Sequence, residues 1–395
     1  MKKLLLAATI LASLTGQVLA ADSIKVGVIL GYTGPIESLT PDMAASAELA
    51  MKEISDSGIF LGGMEMESIR ADSTCVDSAA ATANAEKLIT ADGVAAIMGA
   101  DCSGVTGAIA NNVAVPNGVV MVSPSATSPG LSQLEDKGYF FRTAPSDARQ
   151  GEVIADILMS RGIKDIAVTY TNNDYGKGLS DSFGSAFAAA GGSVSMVAAH
   201  EDGKADYSAE VGALAASGSK HLAVFGYIDQ GGKGMIQASL DTGAFEVFMM
   251  ADGMFGESLL EAFGTDLNGS IATVPGAETA GASTFSAMAE KAGITVGGPF
   301  TGESYDAAAL IALSMQAAKS SDRAAVQSKM MDVANAPGEL INPGELEKGL
   351  RILAAGGEID YVGATGVEFN DLGEVLGSYK EMEVKAGKYE TVMVR

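Results

Sequence analysis

Histidine, cysteine and positive charge are all scarce in this chain, and each scarcity removes a class of function. His200 and His221 are the only two histidines among 395 residues, which leaves no His-Glu-x-x-His pair and no Cys/His cluster at metal spacing. A zinc centre is not expected, and no other metal or cofactor site is read. Lysine and arginine total 25 against 49 acidic residues, a net charge of −24. The basic face that nucleic acid or an anionic membrane surface requires is therefore missing. Beyond residue 20 no apolar run reaches the roughly 18 to 20 residues of a membrane span. Nucleotide and acyl-transfer motifs are also incomplete. Ile29 stands where the first glycine before Gly31-Tyr-Thr-Gly34 would complete a dinucleotide fingerprint, and Lys233 has Tyr227 in place of a phosphate loop's leading glycine. No Gly-x-Ser-x-Gly elbow is found, so an enzyme lacks an assembled nucleophile and base.

What remains is a well-patterned globular chain. Hydrophobic residues make up 47% and charged residues 19%, and the length suits two domains. The first twenty residues read as a leader: Lys2 and Lys3, an apolar stretch over 4–14, then Val18-Leu19-Ala20 as a cleavage pattern. A mature start at Ala21 is expected, exported, and with no cysteine at the cut to carry a lipid anchor. In an oxidising compartment the lone pair Cys75 and Cys102 is expected to be a disulfide; two inert thiols are the alternative if their Cα atoms lie too far apart.

Short β-branched runs alternate with helical patterns. Residues 24–30 precede a turn at Gly31-Tyr-Thr-Gly-Pro35 and a helical stretch at 42–54. The alternation recurs at 94–99 into 105–113, at 119–123, at 166–170 into 179–190, and at 221–225 into 233–240. Such units predict parallel sheets covered on both faces by helices. Breaks near 141–145 and 271–277, with glycine-punctuated short strands after Tyr361, divide the chain into two α/β lobes.

The informative side chains follow the strands. Ser103 sits in Gly99-Ala-Asp-Cys-Ser-Gly104, and Ser125, Ala126 and Thr127 in Ser123-Pro-Ser-Ala-Thr127. Hydroxyls and free N–H groups at a parallel sheet's carboxyl edge suit an anion, although Ser103 and Thr127 could equally be helix caps. Tyr175, Tyr227, Asp229 and Asp252 follow strands of the second group, where rings can wall a pocket and a carboxylate can pair an ammonium.

Together with the cysteine pair and Tyr361-Val-Gly-Ala-Thr-Gly366, these segments, in this order, resemble the branched-chain amino-acid-binding proteins of ABC transporters over essentially the whole mature chain. The resemblance implies a type I periplasmic binding protein fold, two Rossmann-like lobes joined by three crossovers. Lobe one is expected at 21–143 and 276–360, lobe two at 144–275 and 361–395. It further implies that Ser103, Ser125, Ala126 and Thr127 hold an α-carboxylate, that Tyr175 closes over the ligand with Tyr227 nearby, and that Asp252 receives the ammonium, with Asp229 as runner-up. Two departures bear on the ligand. Asp252 stands where the family has glutamate, and Leu39 where relatives often have a polar or aromatic residue. The expected function is periplasmic capture of a small apolar amino acid by a monomer that serves an ABC permease. An extracytoplasmic sensor, or a binder of an aromatic acid or amide, is the alternative.

Overall fold

The computed structural model describes residues 23–395, so the expected leader and its cut after Ala20 lie outside the described residues. Five strands form the first sheet: β1 (Ser23–Leu30), β2 (Glu65–Asp72), β3 (Ala96–Gly99), β4 (Met121–Ser123) and β5 (Phe140–Arg142). They lie in the order β2-β1-β3-β4-β5, all parallel. The second sheet contains β6 (Asp165–Thr171), β7 (Ser193–His200), β8 (His221–Phe225), β9 (Val247–Met250) and β10 (Ile271–Pro275). After a two-stranded ribbon, β11 (Glu339–Ile341) with β12 (Ile359–Tyr361), the chain adds β13 (Tyr379–Lys385) and β14 (Lys388–Val394). The second sheet runs β14-β13-β10-β9-β8-β6-β7, parallel except for the terminal hairpin, which pairs antiparallel against β10.

Both sheets thus repeat one plan: the first strand lies beside the second on one side and the third on the other. The strand order reverses at β1/β3 and again at β6/β8, and open α/β sheets bind ligands beyond the strand ends at such reversals. The buried strands explain the unbroken apolar runs; Ala96–Gly99 and Ile271–Pro275 are buried at every position. Helices cover the faces. Thr301–Ala318 is buried on almost every side and packs against Thr40–Asp56, an approach its small alanines permit. Among the described residues no helix is long and apolar enough to cross a membrane.

The chain passes between the sheets three times. The first passage lies between Thr143 and Asp147, and the second just after β10. The third lies at 376–378, later than the expected boundary at 361. Asp306, on the helix Thr301–Ala318, explains the difference. Its carboxylate accepts from Tyr361 Oη at 2.7 Å, Ala364 N at 2.8 Å, Thr365 N at 2.9 Å and Thr365 Oγ1 at 2.7 Å. Asn335 then holds Phe369 by both its amide groups, and Glu374 pairs with the buried Arg142 at 2.8 Å. Residues 361–375 therefore stay with the first sheet, and the chain joins the second only from Ser378 and Tyr379 onward.

Candidate functional site

Cys75 and Cys102 are bonded, with Cα atoms 5.1 Å apart, well within bridging distance. The bond ties the loop after β2 to the N-cap of the helix Ser103–Ile109. Ser103 is the first residue of that helix and makes no side-chain cap; its Oγ instead accepts from Ser128 N at 3.1 Å. Ser125 Oγ donates to Asp101 O at 3.1 Å, and Ala126 N to Ser123 Oγ at 3.0 Å. Arg142 donates to Ala126 O at 3.2 Å and Ser128 O at 2.9 Å, so a buried guanidinium fixes the carbonyls on either side of Thr127. The Thr127 carbonyl accepts from Asp147 N at 2.8 Å, while its own buried N–H has no acceptor among the described residues. A buried amide without an acceptor is costly unless something else supplies one.

The wall from the second lobe is different in kind. Asn173 caps the helix Asp174–Ala189, and Gly176 lets it press onto the end of β6: a Cβ there would lie 2.2 Å from Thr171 O. That contact seats Tyr175, whose ring stacks on Tyr227 with centroids 5.3 Å apart. Tyr175 Oη donates to Asp252 Oδ1 at 2.9 Å, and Gly253 N donates to the same oxygen at 2.7 Å. Gln150 bridges two acids: its nitrogen donates to Asp252 Oδ2 at 3.2 Å and Asp147 Oδ1 at 2.9 Å while its oxygen accepts from Thr273 Oγ1 at 3.1 Å. Asp147 Oδ2 is buried with no hydrogen bond from the protein among the described residues. Burial pushes Asp252 up to about 6. It also drives Asp147 well above the usual carboxylate range, with the Asp252 charge adding to the rise. Glu303, likewise buried, is pushed up to about 7.

Ser103, Ser125, Tyr175, Tyr227 and Asp252 line one cavity between the lobes, together with Asp101. Ala126 and Thr127 do not line it; both are buried behind it. Asp229 is not in the cavity either; its carboxylate accepts from Ser38 N at 2.8 Å at the cleft rim. The sequence reading missed Asp147, Gln150, Glu303 and the apolar Ile36 and Phe300. Of these, Phe300 carried a signal, the Gly297-Gly298-Pro299 turn that delivers it to the cavity at φ 60°. Between its walls the cavity measures about 20 Å³, on the order of one or two waters. Larger hollows, about 410 and 660 Å³, lie outside Leu39 at the rim and on the far side beside Pro337. The lobes are thus drawn together, and a solute of amino-acid size enters only when they part.

A protein-family model described as "Periplasmic binding protein" matches residues 23–342. The chain belongs to the periplasmic binding protein family. A leucine-, isoleucine-, valine-, threonine- and alanine-binding protein of Pseudomonas aeruginosa is 30% identical over 69% of this chain and 71% of its own length. A Leu/Ile/Val-binding protein homolog of Brucella melitensis is 29% identical over 78% of this chain and 83% of its own. In three dimensions the chain resembles a leucine-binding protein from Thermotoga maritima, with a TM-score of 0.76 at 24% identity over 94% of this chain and 98% of the other. It equally resembles an R. palustris solute-binding protein in complex with 4-hydroxybenzoate, with a TM-score of 0.75 at 19% identity over 95% and 97%. The two-sheet architecture is therefore the type I periplasmic binding protein fold, shared by a leucine-binding protein and a protein in complex with 4-hydroxybenzoate.

Proposed function

We propose that the chain is a periplasmic solute-binding protein. It captures a small amino acid, branched-chain or otherwise apolar, between two lobes and delivers it to an ABC permease in the inner membrane. In this reading the described part of lobe one is 23–143 with 277–376, lobe two is 144–276 with 377–395, and the leader is cleaved on export of a monomer. The observation that carries the reading is the opposite polarity of the two walls. One offers the hydroxyls of Ser103 and Ser125, with the Asp101 carboxylate beside them already satisfied by Gly31 N and Ser73 Oγ, and suits a carboxylate. The other gathers Asp252 and Asp147 without a cation between them, and suits an ammonium. Ile36, Leu39 and Phe300 leave an apolar surface for the side chain. An aromatic carboxylate brings no cation to the acids, so the second wall argues against that ligand. Catalysis has little to work with: His200 is buried in the second sheet, bonded to Thr169 at 2.8 Å, and the site's hydroxyls hold other protein groups.

A thermal-shift screen over amino acids and small carboxylates tests this, because a tight ligand raises apparent stability by RT ln(1 + [L]/Kd). Leucine, isoleucine or valine should raise the melting temperature by several degrees while benzoate leaves it unchanged. A shift with aromatic acids alone would overturn the reading.

A further inference from the structure

Asp229, an alternative ammonium partner in the sequence, is engaged across the cleft instead. It follows β8 and is partly buried. Its N–H donates to Pro35 O at 3.0 Å, and its carboxylate accepts from Ser38 N at 2.8 Å and Ser258 Oγ at 3.3 Å. The Ser38 and Ser258 hydroxyls are themselves 3.3 Å apart. Pro35 and Ser38 lie in the turn after β1, on the first lobe, whereas Asp229 and Ser258 belong to the second. Ionised, the carboxylate is an acceptor only, and its two oxygens serve one group from each lobe.

We propose that Asp229 is a closure latch that sets how long a captured solute is held without touching the solute. The inference rests on the solute-binding reading above. A ligand that enters the open form gains affinity by the factor with which closure is favoured, and a bond made only in the closed form enters that factor. Because the latch forms after entry, it acts on departure and leaves arrival unchanged. It also has a seal to hold. Leu39 and Ile228, the chain neighbours of Ser38 and Asp229, are buried and meet over Gly256, where a Cβ would lie 2.8 Å from Ile228 Cδ1 and 3.0 Å from Leu39 Cδ2. Leu39 lines the cavity itself, so the latch fixes the apolar lip through which a side chain would leave.

The test compares the parent with Asp229→Ala, Asp229→Asn and Ser258→Ala, by stopped-flow and calorimetry with L-leucine and by small-angle scattering with and without it. Asp229→Ala should raise koff about tenfold with kon within about twofold, equivalent to about 1.4 kcal/mol. Asp229→Asn, which keeps an acceptor for Ser38 N, should recover most of the loss, and Ser258→Ala should show a smaller one. An unchanged koff, a loss carried by kon, or a lowered melting temperature with unchanged koff overturns the latch. If the parent binds no leucine or other amino acid, the functional reading fails first. The latch is then judged on scattering alone: a larger radius of gyration in Asp229→Ala supports it, and coincident curves overturn it.

Discussion

The two walls of the cleft are built on opposite electrostatic plans. On the first lobe, the Ser103 and Ser125 hydroxyls are each held by a neighbour, the cavity-lining Asp101 carboxylate is satisfied by Gly31 N and Ser73 Oγ, and Arg142 is turned away onto Ala126 O and Ser128 O. On the second lobe, two carboxylates share one amide, and one oxygen among them has no protein partner among the described residues. The cavity-lining groups of the first wall are bonded within the protein; in the solute-binding reading the second is completed by a cation. Recognition of the carboxylate should therefore rest on geometry, and recognition of the ammonium on charge.

The sharpest test removes charge from the second wall. Asp252→Asn should weaken an amino-acid ligand by about 2 to 5 kcal/mol, tens to thousands of fold, with the fold unchanged. Calorimetry showing affinity within about twofold of the parent would break the contrast. Next in size is the disulfide on the first wall. Replacing Cys75 and Cys102 by alanine should cost about 3 kcal/mol of stability in chemical denaturation and loosen the ligand as well, since Cys102 precedes Ser103. Asp147→Asn should separate binding from stability: affinity falls about tenfold while the ligand-free melting temperature rises, because an incompletely bonded buried acid is lost.

The pH dependence has a determined sign. Asp252 titrates at 3.8 when unperturbed and at about 6 in the fold, so the folded chain binds the proton more tightly. Its contribution to stability is greatest below pH 3.8 and is lost as pH rises to about 6, whereas the affinity for an ammonium improves over that window. Subtracting Asp252→Asn melts from parent melts isolates the slope; a difference that does not change with pH would refute it.

Much of this was legible in the sequence because buried parallel strands leave unbroken apolar runs, as Ala96–Gly99 and Val247–Met250 do. The sheet edges were not. β2 and β7 are exposed or half-buried at all but one position each, and with Glu65, Glu67 and Arg70 in one and Ser193 and Ser195 in the other they merge into loop composition. The site divides the same way. Residues that directly follow core strands announce themselves, so Ser103, Tyr175 and Asp252 stood out as candidates. Asp147 stood beside Ser146 at the start of a helix, where an acid is ordinary capping, and nothing local shows that the first interlobe passage swings it against Asp252. Glu303 and Phe300 arrive from the far end of the chain, through the second passage.

The terminal hairpin has a further consequence, for the order in which the molecule is made. The first sheet is complete once Arg142 has emerged, but β10, buried along its whole length, has β9 on one side and nothing on the other until 379–394 arrive. For more than a hundred residues of synthesis and export, the chain carries an open apolar β-edge of the type that recruits other strands. The last strands to appear thus protect neighbouring copies from one another, and a chain that stops before Tyr379 should be recovered as aggregate.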